Sequence, residues 1–162
     1  VDHRAVLIAT AQPWDDEMHQ RIARHQTDRA ARVPGMQTVE EPLALAEAIQ
    51  AHSTAHTLVV VDCLTLWLTN LLMPADAAHY EENKPPAPVE TAQIAPLLIA
   101  IEQAVGPVVL VGNEIGLGVI PMGREVRAFV DALGRLNQDV AAACQRVTLM
   151  AAGLPLTLKE TT

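Results

Sequence analysis

Aromatic residues and lysines are scarce in this sequence. Aromatic residues make up 2% of its 162 positions, whereas hydrophobic residues make up 50%. Leu, Val, Ile and Ala must therefore fill the core, and a chain of this length is long enough to bury a substantial one. Lys84 and Lys159 are the only lysines, and neither follows a glycine-rich loop. The Walker A phosphate-binding motif, which needs Gly-Lys-Ser/Thr, is therefore absent from these residues.

Cysteine is also rare. The two cysteines, Cys63 and Cys144, lie far apart in the sequence and have no spacing typical of metal ligands. This pattern argues against a disulfide framework and against a zinc site built on cysteine. We expect two reduced thiols in a cytoplasmic protein.

Long apolar runs and an excess of positive charge are missing as well. No apolar run reaches the roughly 20 residues of a transmembrane helix, so no membrane span is expected. The first residues also lack the basic start and apolar centre of a signal peptide. Acidic residues outnumber basic residues by 19 to 11, giving a formal net charge of -8. This balance argues against a broad surface for nucleic acid or for anionic membranes.

The most apolar stretch runs from Leu58 to Leu72 and carries one acid at its centre. Residues 58–61 form an unbroken aliphatic run, which is typical of a strand buried on both faces of a parallel sheet. Asp62 follows directly, and open α/β sheets bind ligands beyond the carboxyl ends of such strands. In nucleotide-binding sheets an acid at this position commonly holds Mg²⁺, directly or through water. The alternative is that Asp62 caps the following helix.

Predicted strands and helices alternate along most of the chain. This order indicates a single α/β domain over residues 1–162, with a mostly parallel sheet and right-handed crossovers. The polar, proline-rich residues 73–88 are interpreted as a mobile loop within that domain. The segment VTLMAAGLPLTLK predicts a C-terminal edge hairpin. The predicted strands begin near Ala5, Leu58 and Pro107, and the predicted helices lie at about Asp15–Arg32, Pro42–His52, Leu66–Leu72, Val89–Val105 and Arg124–Arg146.

Two polar residues follow the predicted strand that begins near Pro107. These residues, Asn113 and Glu114, open the glycine-rich loop GNEIGLGVIP. Because the carboxyl ends of parallel strands meet at one edge of a sheet, we expect them to lie near Asp62. The alternative, that they only shape a turn, fits the spacing equally well. The glycines match a dinucleotide-binding fingerprint only loosely.

His25 lies among the arginines of a predicted helix end. Arg21, Arg24, Arg29 and Arg32 surround it in sequence. Nearby guanidinium groups disfavour the cationic form of an imidazole, and the same groups can hold phosphate oxygens. A neutral imidazole beside a bound phosphate is a candidate nucleophile for a nucleotide phosphorus. The alternative is a solvated basic helix end with an incidental histidine.

Several of these stretches together resemble the bifunctional adenosylcobinamide kinase and adenosylcobinamide-phosphate guanylyltransferase family of cobalamin biosynthesis. The matching segments occur in the family's order over nearly the whole chain: LIATAQPWDDEMHQRIARH, TVEEPLALAEAI, VVVDCLTLWLTNLL, VLVGNEIGLGVIP and GRLNQDVAAACQRVTLMAAGLPLTLK. The resemblance implies a three-layer RecA-like P-loop NTPase fold, Mg²⁺ as a cofactor and a homo-oligomer. It also implies phosphorylation of adenosylcobinamide by GTP or ATP, followed by transfer of GMP from GTP to that phosphate through a guanylyl-histidine.

The resemblance also implies roles for individual residues. His25 matches the histidine that accepts GMP in the pattern R-I-x-x-H. Asp62 matches the strand-end acid that is expected to hold Mg²⁺, either directly or through water. Asn113 and Glu114 match the active-site loop N-E-x-G-x-G-x-x-P. The implied nucleotide-binding residues are Thr10, Ala11, Gln12, Gln26, Thr27, Asp28, Arg29, Glu40 and Asp62.

Members of that family begin with a strand and a P-loop of the type G-G-A-R-S-G-K-S, which would precede Val1. We therefore expect this sequence to begin inside a longer protein. Without that loop, kinase activity should be lost and guanylylation weakened, because its amides and lysine cradle the triphosphate. Two other hypotheses stay open: a non-catalytic remnant or oligomerisation module, and a P-loop kinase of another small molecule.

Overall fold

A computed structural model describes residues 4–13, 15–73 and 89–161. Most of the segment interpreted as a mobile loop, residues 74–88, lies outside the described residues. The described chain contains six strands and five helices. The strands are β1 (Arg4–Ala9), β2 (Gln37–Glu40), β3 (Thr57–Asp62), β4 (Val108–Val111), β5 (Arg146–Ala151) and β6 (Leu154–Glu160), and the helices are α1 (Asp16–Arg32), α2 (Leu45–His52), α3 (Leu64–Leu72), α4 (Val89–Glu102) and α5 (Arg124–Ala143).

Four strands form a parallel sheet in the order β2-β1-β3-β4. The predicted α/β class with a mostly parallel sheet is therefore confirmed. The register pairs Ala9 with both Glu40 and Asp62, and pairs Asp62 with Val111. The carboxyl ends of all four strands consequently meet at one edge of the sheet.

The short strand β2 is absent from the sequence-based prediction. Its four residues, QTVE, are mostly exposed and include only one aliphatic side chain, Val39. A strand at the edge of a sheet needs little apolar surface, so its sequence carries almost no strand signal. Its pairing with β1 places Glu40 at the same sheet edge as Asp62.

The core lies between one face of the sheet and four helices. Ile8, Val59 and Val61 pack in one cluster with buried residues of α2, α3, α4 and α5. Trp67 on α3 is almost fully buried, and its indole Nε1–H donates to the Leu43 carbonyl oxygen. An indole packed in this way buries a large apolar surface while its polar group stays bonded.

The expectation that the central strand is buried on both faces is wrong. Along β3, buried and half-buried residues alternate. On the neighbouring strand β4, Val109 and Val111 are exposed. They lie on the same face of the sheet as Val60 and Asp62, with which they pair. Within the described residues, the helix-covered face is therefore the more buried one.

Four helix boundaries differ from the predicted ones by two or three residues: α2 and α3 begin at Leu45 and Leu64 instead of Pro42 and Leu66, and α4 and α5 end at Glu102 and Ala143 instead of Val105 and Arg146. Helix α2 begins at Leu45 and not at Pro42, because the Glu41 carboxylate accepts the backbone N–H groups of Leu43 and Ala44 and holds a turn there. Helix α5 ends at Ala143, and β5 begins three residues later at Arg146. Helix α4 continues through Pro96.

The predicted C-terminal hairpin is confirmed. Strands β5 and β6 pair antiparallel in a two-stranded sheet of their own. The turn between them uses positive φ angles at Ala152 and Gly153. The Lys159 ammonium group donates to the carbonyl oxygens of Ala141 and Ala142, which ties β6 to the C-terminal end of α5. A cation at that end of a helix also complements its dipole.

Both cysteines are free thiols, as predicted. In the described part of the chain, no helix is long and apolar enough to cross a membrane.

Candidate active site

A cavity of about 510 Å³ opens at the carboxyl edge of the parallel sheet. It is lined by the ends of β1, β2, β3 and β4 together with one side of α1. Its lining residues are Ala9, Ala11, Pro13, Met18, His19, Arg21, Ile22, His25, Gln26, Arg29, Glu40, Asp62, Cys63, Leu66, Val111 and Asn113. Ligand sites in open α/β sheets lie in this position.

Helix α1 carries the candidate nucleophile. Its N-terminus is capped by Asp15, whose carboxylate accepts the Met18 N–H at 2.7 Å, and Asp16 and Glu17 occupy the first turn. These acids complement the positive end of the helix dipole. None of its residues is buried, and His25 is exposed at the cavity wall. The helix therefore forms a wall of the site and contributes nothing to the core cluster.

One side-chain hydrogen bond joins α1 to the end of β2. The Gln26 amide Nε2 donates to the Glu40 carboxylate at 3.0 Å. Gln26 follows His25 directly, so this bond fixes the turn of the helix that carries the imidazole. Both residues were predicted to contact nucleotide, and the structure places both at the cavity.

One ion pair joins α1 to the end of β3. The Arg29 guanidinium lies 3.9 Å from the Asp62 carboxylate, and the two side chains are 20% and 46% exposed. The Arg29 guanidinium also lines the cavity, and its Nε is buried and lacks a hydrogen-bond partner among the described residues. An unpaired buried donor is costly unless a ligand or water accepts from it. A phosphate oxygen in the cavity would suit this group.

The acid at the end of β3 also bears on the expected metal. No cluster of three or more His, Cys, Asp or Glu residues that could hold a metal exists in the described parts of the chain. Mg²⁺ does not need such a cage, since it is usually held by one or two carboxylates together with substrate phosphates and water. Asp62, half exposed at the cavity, fits that limited role. The alternative role as a helix cap is not observed, because residue Cys63 occupies the N-cap of α3.

Three predicted nucleotide-binding residues follow β1, and they differ in position. Thr10 is 0% exposed, and its hydroxyl is bonded to the backbone of Cys63, so its side chain does not reach the cavity. Ala11 lines the cavity. Gln12 is half-buried and lies outside the lining. Thr10 therefore holds the backbone of Cys63, which lines the cavity, and does not line the cavity itself.

Two predicted residues on α1 are not brought to the cavity. Thr27 and Asp28 are exposed and lie outside its lining. The Thr27 hydroxyl donates to the Ala23 carbonyl within its own helix. Because the helix has 3.6 residues per turn, Gln26 and Arg29 share one face and Thr27 and Asp28 fall on another.

The loop after β4 is only partly at the site. Asn113 lines the cavity, and its backbone N–H donates to the Thr65 hydroxyl while its carbonyl accepts from the Asn137 amide. Glu114 lies outside the lining, and its carboxylate accepts the Gly116 N–H at 2.8 Å. For Glu114, the structure therefore shows the turn-shaping contact that was the alternative interpretation.

Sequence reasoning missed several lining residues. Met18 and Ile22 recur at helical spacing with the predicted site residues His25 and Arg29, and this spacing is the signal that could have identified them. His19 also lines the cavity, and its Nδ1 lies 3.0 Å from the Asp15 carbonyl oxygen. Its position on α1, three residues before Ile22 and therefore on the same side of the helix, is the signal that could have identified it.

The profile described as "Cobinamide kinase / cobinamide phosphate guanyltransferase" matches residues 1–158. The chain is 44% identical over 152 residues to the bifunctional adenosylcobalamin biosynthesis protein CobP of Pseudomonas aeruginosa, covering 94% of this chain and 80% of the relative. It is 35% identical over 164 residues to the bifunctional adenosylcobalamin biosynthesis protein CobU of Escherichia coli, covering 96% of this chain and 86% of the relative.

A third relative, the bifunctional adenosylcobalamin biosynthesis protein CobU of Salmonella typhimurium, is 35% identical over 159 residues, with 96% of this chain and 86% of the relative covered. The family match spans the segments that carried the resemblance, up to residue 158. Together with the observed parallel sheet, these matches confirm the P-loop type of α/β fold. The chain belongs to the cobinamide kinase / cobinamide phosphate guanyltransferase family.

Proposed function

We propose that the protein phosphorylates adenosylcobinamide and then transfers GMP from GTP to that phosphate through a guanylyl group on His25. The observation that carries this proposal is the cavity itself. It gathers a histidine and an arginine from α1 and the strand-end acids Glu40 and Asp62 from separate segments of the chain. A nucleophile, a phosphate-binding cation and carboxylates at one sheet edge are the groups that nucleotidyl transfer requires.

In the first half of the transfer, an imidazole nitrogen of His25 attacks the α-phosphorus of GTP. A P–N bond forms, the bond from the α-phosphorus to the bridging oxygen breaks, and pyrophosphate leaves. In the second half, a phosphate oxygen of adenosylcobinamide phosphate attacks the same phosphorus. The P–N bond then breaks, and adenosylcobinamide-GDP is released with the histidine restored.

The residues around His25 have separate parts in this scheme. The guanidinium of Arg29 binds phosphate oxygens and stabilises the negative charge that develops on them. Gln26 and Glu40 hold the His25 turn of the helix against the sheet edge. Asp62 would hold Mg²⁺, which neutralises phosphate charge and orients the triphosphate when it is bound.

The kinase half of the proposal rests on family membership. In the proposed kinase step, a nucleoside triphosphate is the phosphoryl donor and the aminopropanol hydroxyl of adenosylcobinamide is the acceptor. Phosphoryl transfer depends mainly on positioning and on neutralising charge, so the Asp62 edge of the cavity would serve both activities.

The proposal is tested by incubating the full-length protein with α-labelled GTP and Mg²⁺. We expect label on the protein that is released by acid, because a P–N bond to histidine is acid-labile. His25→Ala should abolish it. His52→Ala is the matched control, since this histidine ends α2 and lies outside the cavity. Label that persists in His25→Ala would overturn the assignment of the nucleophile.

We also propose that the protein forms a homo-oligomer. Large apolar side chains are exposed on the hairpin and on the loop after β4, and such patches mark interfaces. The most exposed are Leu117, Val119, Ile120 and Met122 on the loop and Met150, Leu154, Leu156 and Leu158 on the hairpin. Sedimentation velocity should show an oligomer, and Leu156→Lys should shift it toward the monomer. A monomeric parent protein would contradict the proposal.

A further inference from the structure

A buried asparagine on α3 joins two segments that carry the walls of the cavity. Asn70 is 3% exposed. Its amide Nδ2 donates to the Thr10 carbonyl oxygen at 2.7 Å and to the Pro42 carbonyl oxygen at 3.0 Å. Thr10 immediately follows β1, and Pro42 lies two residues after β2. One side chain therefore bonds the segments that follow two neighbouring strands.

Thr10 extends this connection to the third strand. Its hydroxyl donates to the Cys63 carbonyl oxygen at 2.7 Å and accepts the Cys63 N–H at 2.9 Å. Its own N–H donates to the Asp62 carbonyl oxygen at 3.0 Å. The peptide units on both sides of Cys63 are thus held by one buried residue. Asn70 and Thr10 together connect the ends of β1, β2 and β3.

These bonds cannot be replaced by packing alone. The amide of Asn70 supplies two N–H donors to two carbonyl groups, and neither a leucine nor an aspartate of similar size offers any. Its Oδ1 is buried without a partner among the described residues, so the two donated bonds are accompanied by one unpaired polar atom. Buried polar groups that are bonded in this way fix one arrangement of their surroundings.

We propose that Asn70 and Thr10 are positioning residues that set the separation of Asp62 from Glu40, and with it the place of the triphosphate and its metal ion. Neither side chain lines the cavity, whereas Asp62, Cys63 and Glu40 do. The bonds act on the backbone that carries these lining groups. This inference rests on the proposed function, because it concerns how the same cavity binds GTP.

The test compares GTP binding with loss of stability. Asn70→Leu keeps the branching and the number of heavy atoms of the side chain and removes both donors. Its dissociation constant for GTP is measured by calorimetry with and without Mg²⁺, and its thermal midpoint is measured in parallel. Leu133→Ala is the control, since Leu133 is fully buried on α5 and lies outside the cavity lining. It lowers the thermal midpoint without touching the three strand ends.

We expect Asn70→Leu to weaken Mg²⁺-dependent GTP binding by about tenfold or more at a temperature where the variant is folded. Leu133→Ala should leave the dissociation constant within about twofold of the parent protein. Equal GTP affinities for the two variants would overturn the inference, because Asn70 would then act on stability alone. If Asn70→Leu does not fold, Thr10→Val replaces it, because this substitution removes only the hydroxyl bonds. Its dissociation constant for GTP is then compared with that of Leu133→Ala.

The guanylyl-histidine on His25 and the positioning role of Asn70 can be contradicted independently. A parent protein that binds GTP but shows no acid-labile label on His25 contradicts the guanylyl-histidine, while the calorimetric comparison still decides the role of Asn70. A parent protein that takes up label, with unchanged GTP affinity in both Asn70→Leu and Thr10→Val, contradicts the inference alone.

Discussion

The two sides of the cavity are built in different ways. On the sheet side, Asp62 lies at the end of a central strand, and the backbone around it is bonded by buried Thr10 and Asn70. On the helix side, α1 has no buried residue, and Gln26 and Arg29 make its polar side-chain contacts to the sheet edge. The acid is thus positioned by the core, and the histidine by contacts that water can compete for.

Because of this difference, the two sides should contribute differently to the stability of the fold and to ligand binding. Exposed ion pairs contribute at most about 1 kcal/mol, so the contacts of α1 hold it weakly. Burial of large aliphatic side chains contributes several times as much for each residue. Truncation of large apolar residues on the sheet side should therefore destabilise the protein, whereas substitutions on α1 should alter ligand binding and leave the fold intact.

The largest effect should come from truncating matched apolar residues on the two sides. Leu68→Ala, at a fully buried position on α3, should lower the free energy of unfolding by about 3 kcal/mol, since it leaves a cavity in the core. Ile22→Ala, at a half-buried position on α1, should lower it by less than about 1 kcal/mol. Urea unfolding measures both. Equal losses would show that α1 belongs to the cooperative core.

The next effect concerns the cation at the cavity. Arg29→Met should weaken GTP binding by about tenfold, because a charge-assisted hydrogen bond to phosphate contributes about 1.5–3 kcal/mol. The free energy of unfolding should change by no more than about 0.5 kcal/mol. Arg135→Met, on the exposed face of α5, is the matched control and should leave GTP affinity unchanged. A large loss of stability in Arg29→Met would break the contrast between the two sides.

A smaller effect should follow from the cap of α1. Asp15→Ala removes the side chain that accepts the Met18 N–H, and such a loss costs about 1 kcal/mol of helix stability. Because α1 has no buried residue, we expect the cost to appear locally. Amide hydrogen exchange should become faster in the first turns of α1 and stay unchanged in β3. Faster exchange in β3 as well would mean that the helix and the sheet open together.

The same contrast explains which parts were predictable from sequence. The central strand, α3 and α5 have strong apolar patterns, because their residues fill the core. Asp62 and Asn113 could be placed at one edge because parallel strands end together. Edge strand β2 could not be predicted, because its exposed residues carry no apolar pattern.

The roles of individual site residues were less predictable. The pattern could not distinguish Gln26 and Arg29, which face the cavity, from Thr27 and Asp28, which do not, because that depends on how α1 is turned against the sheet. In the sequence, Asn70 is only one residue of a predicted apolar helix. Its role depends on carbonyl groups 60 and 28 residues away in sequence. Such contacts leave no local signal.

The smallest effect should distinguish the two thiols. Cys63 borders the cavity but is only 7% exposed within the bonded strand ends, so its alkylation should be slow and should follow opening of the sheet side. Cys144 is half-buried at the end of α5; burial raises the pKa of its thiol, and the charge of Lys159 partly opposes this. A raised pKa means less thiolate at a given pH, and the thiolate is the reactive form.

Lys159→Met should therefore raise the pKa of Cys144 further and slow its alkylation by about threefold near pH 8, by the loss of one nearby positive charge. The difference should vanish at a pH above both pKa values, where the thiol is fully ionised. Faster alkylation of Cys144 in Lys159→Met would instead show that the bonds from Lys159 to Ala141 and Ala142 keep the hairpin closed over the thiol. Rapid alkylation of Cys63 in the parent protein would contradict the contrast directly, because the strand ends that hold Asp62 would then open as readily as an exposed helix.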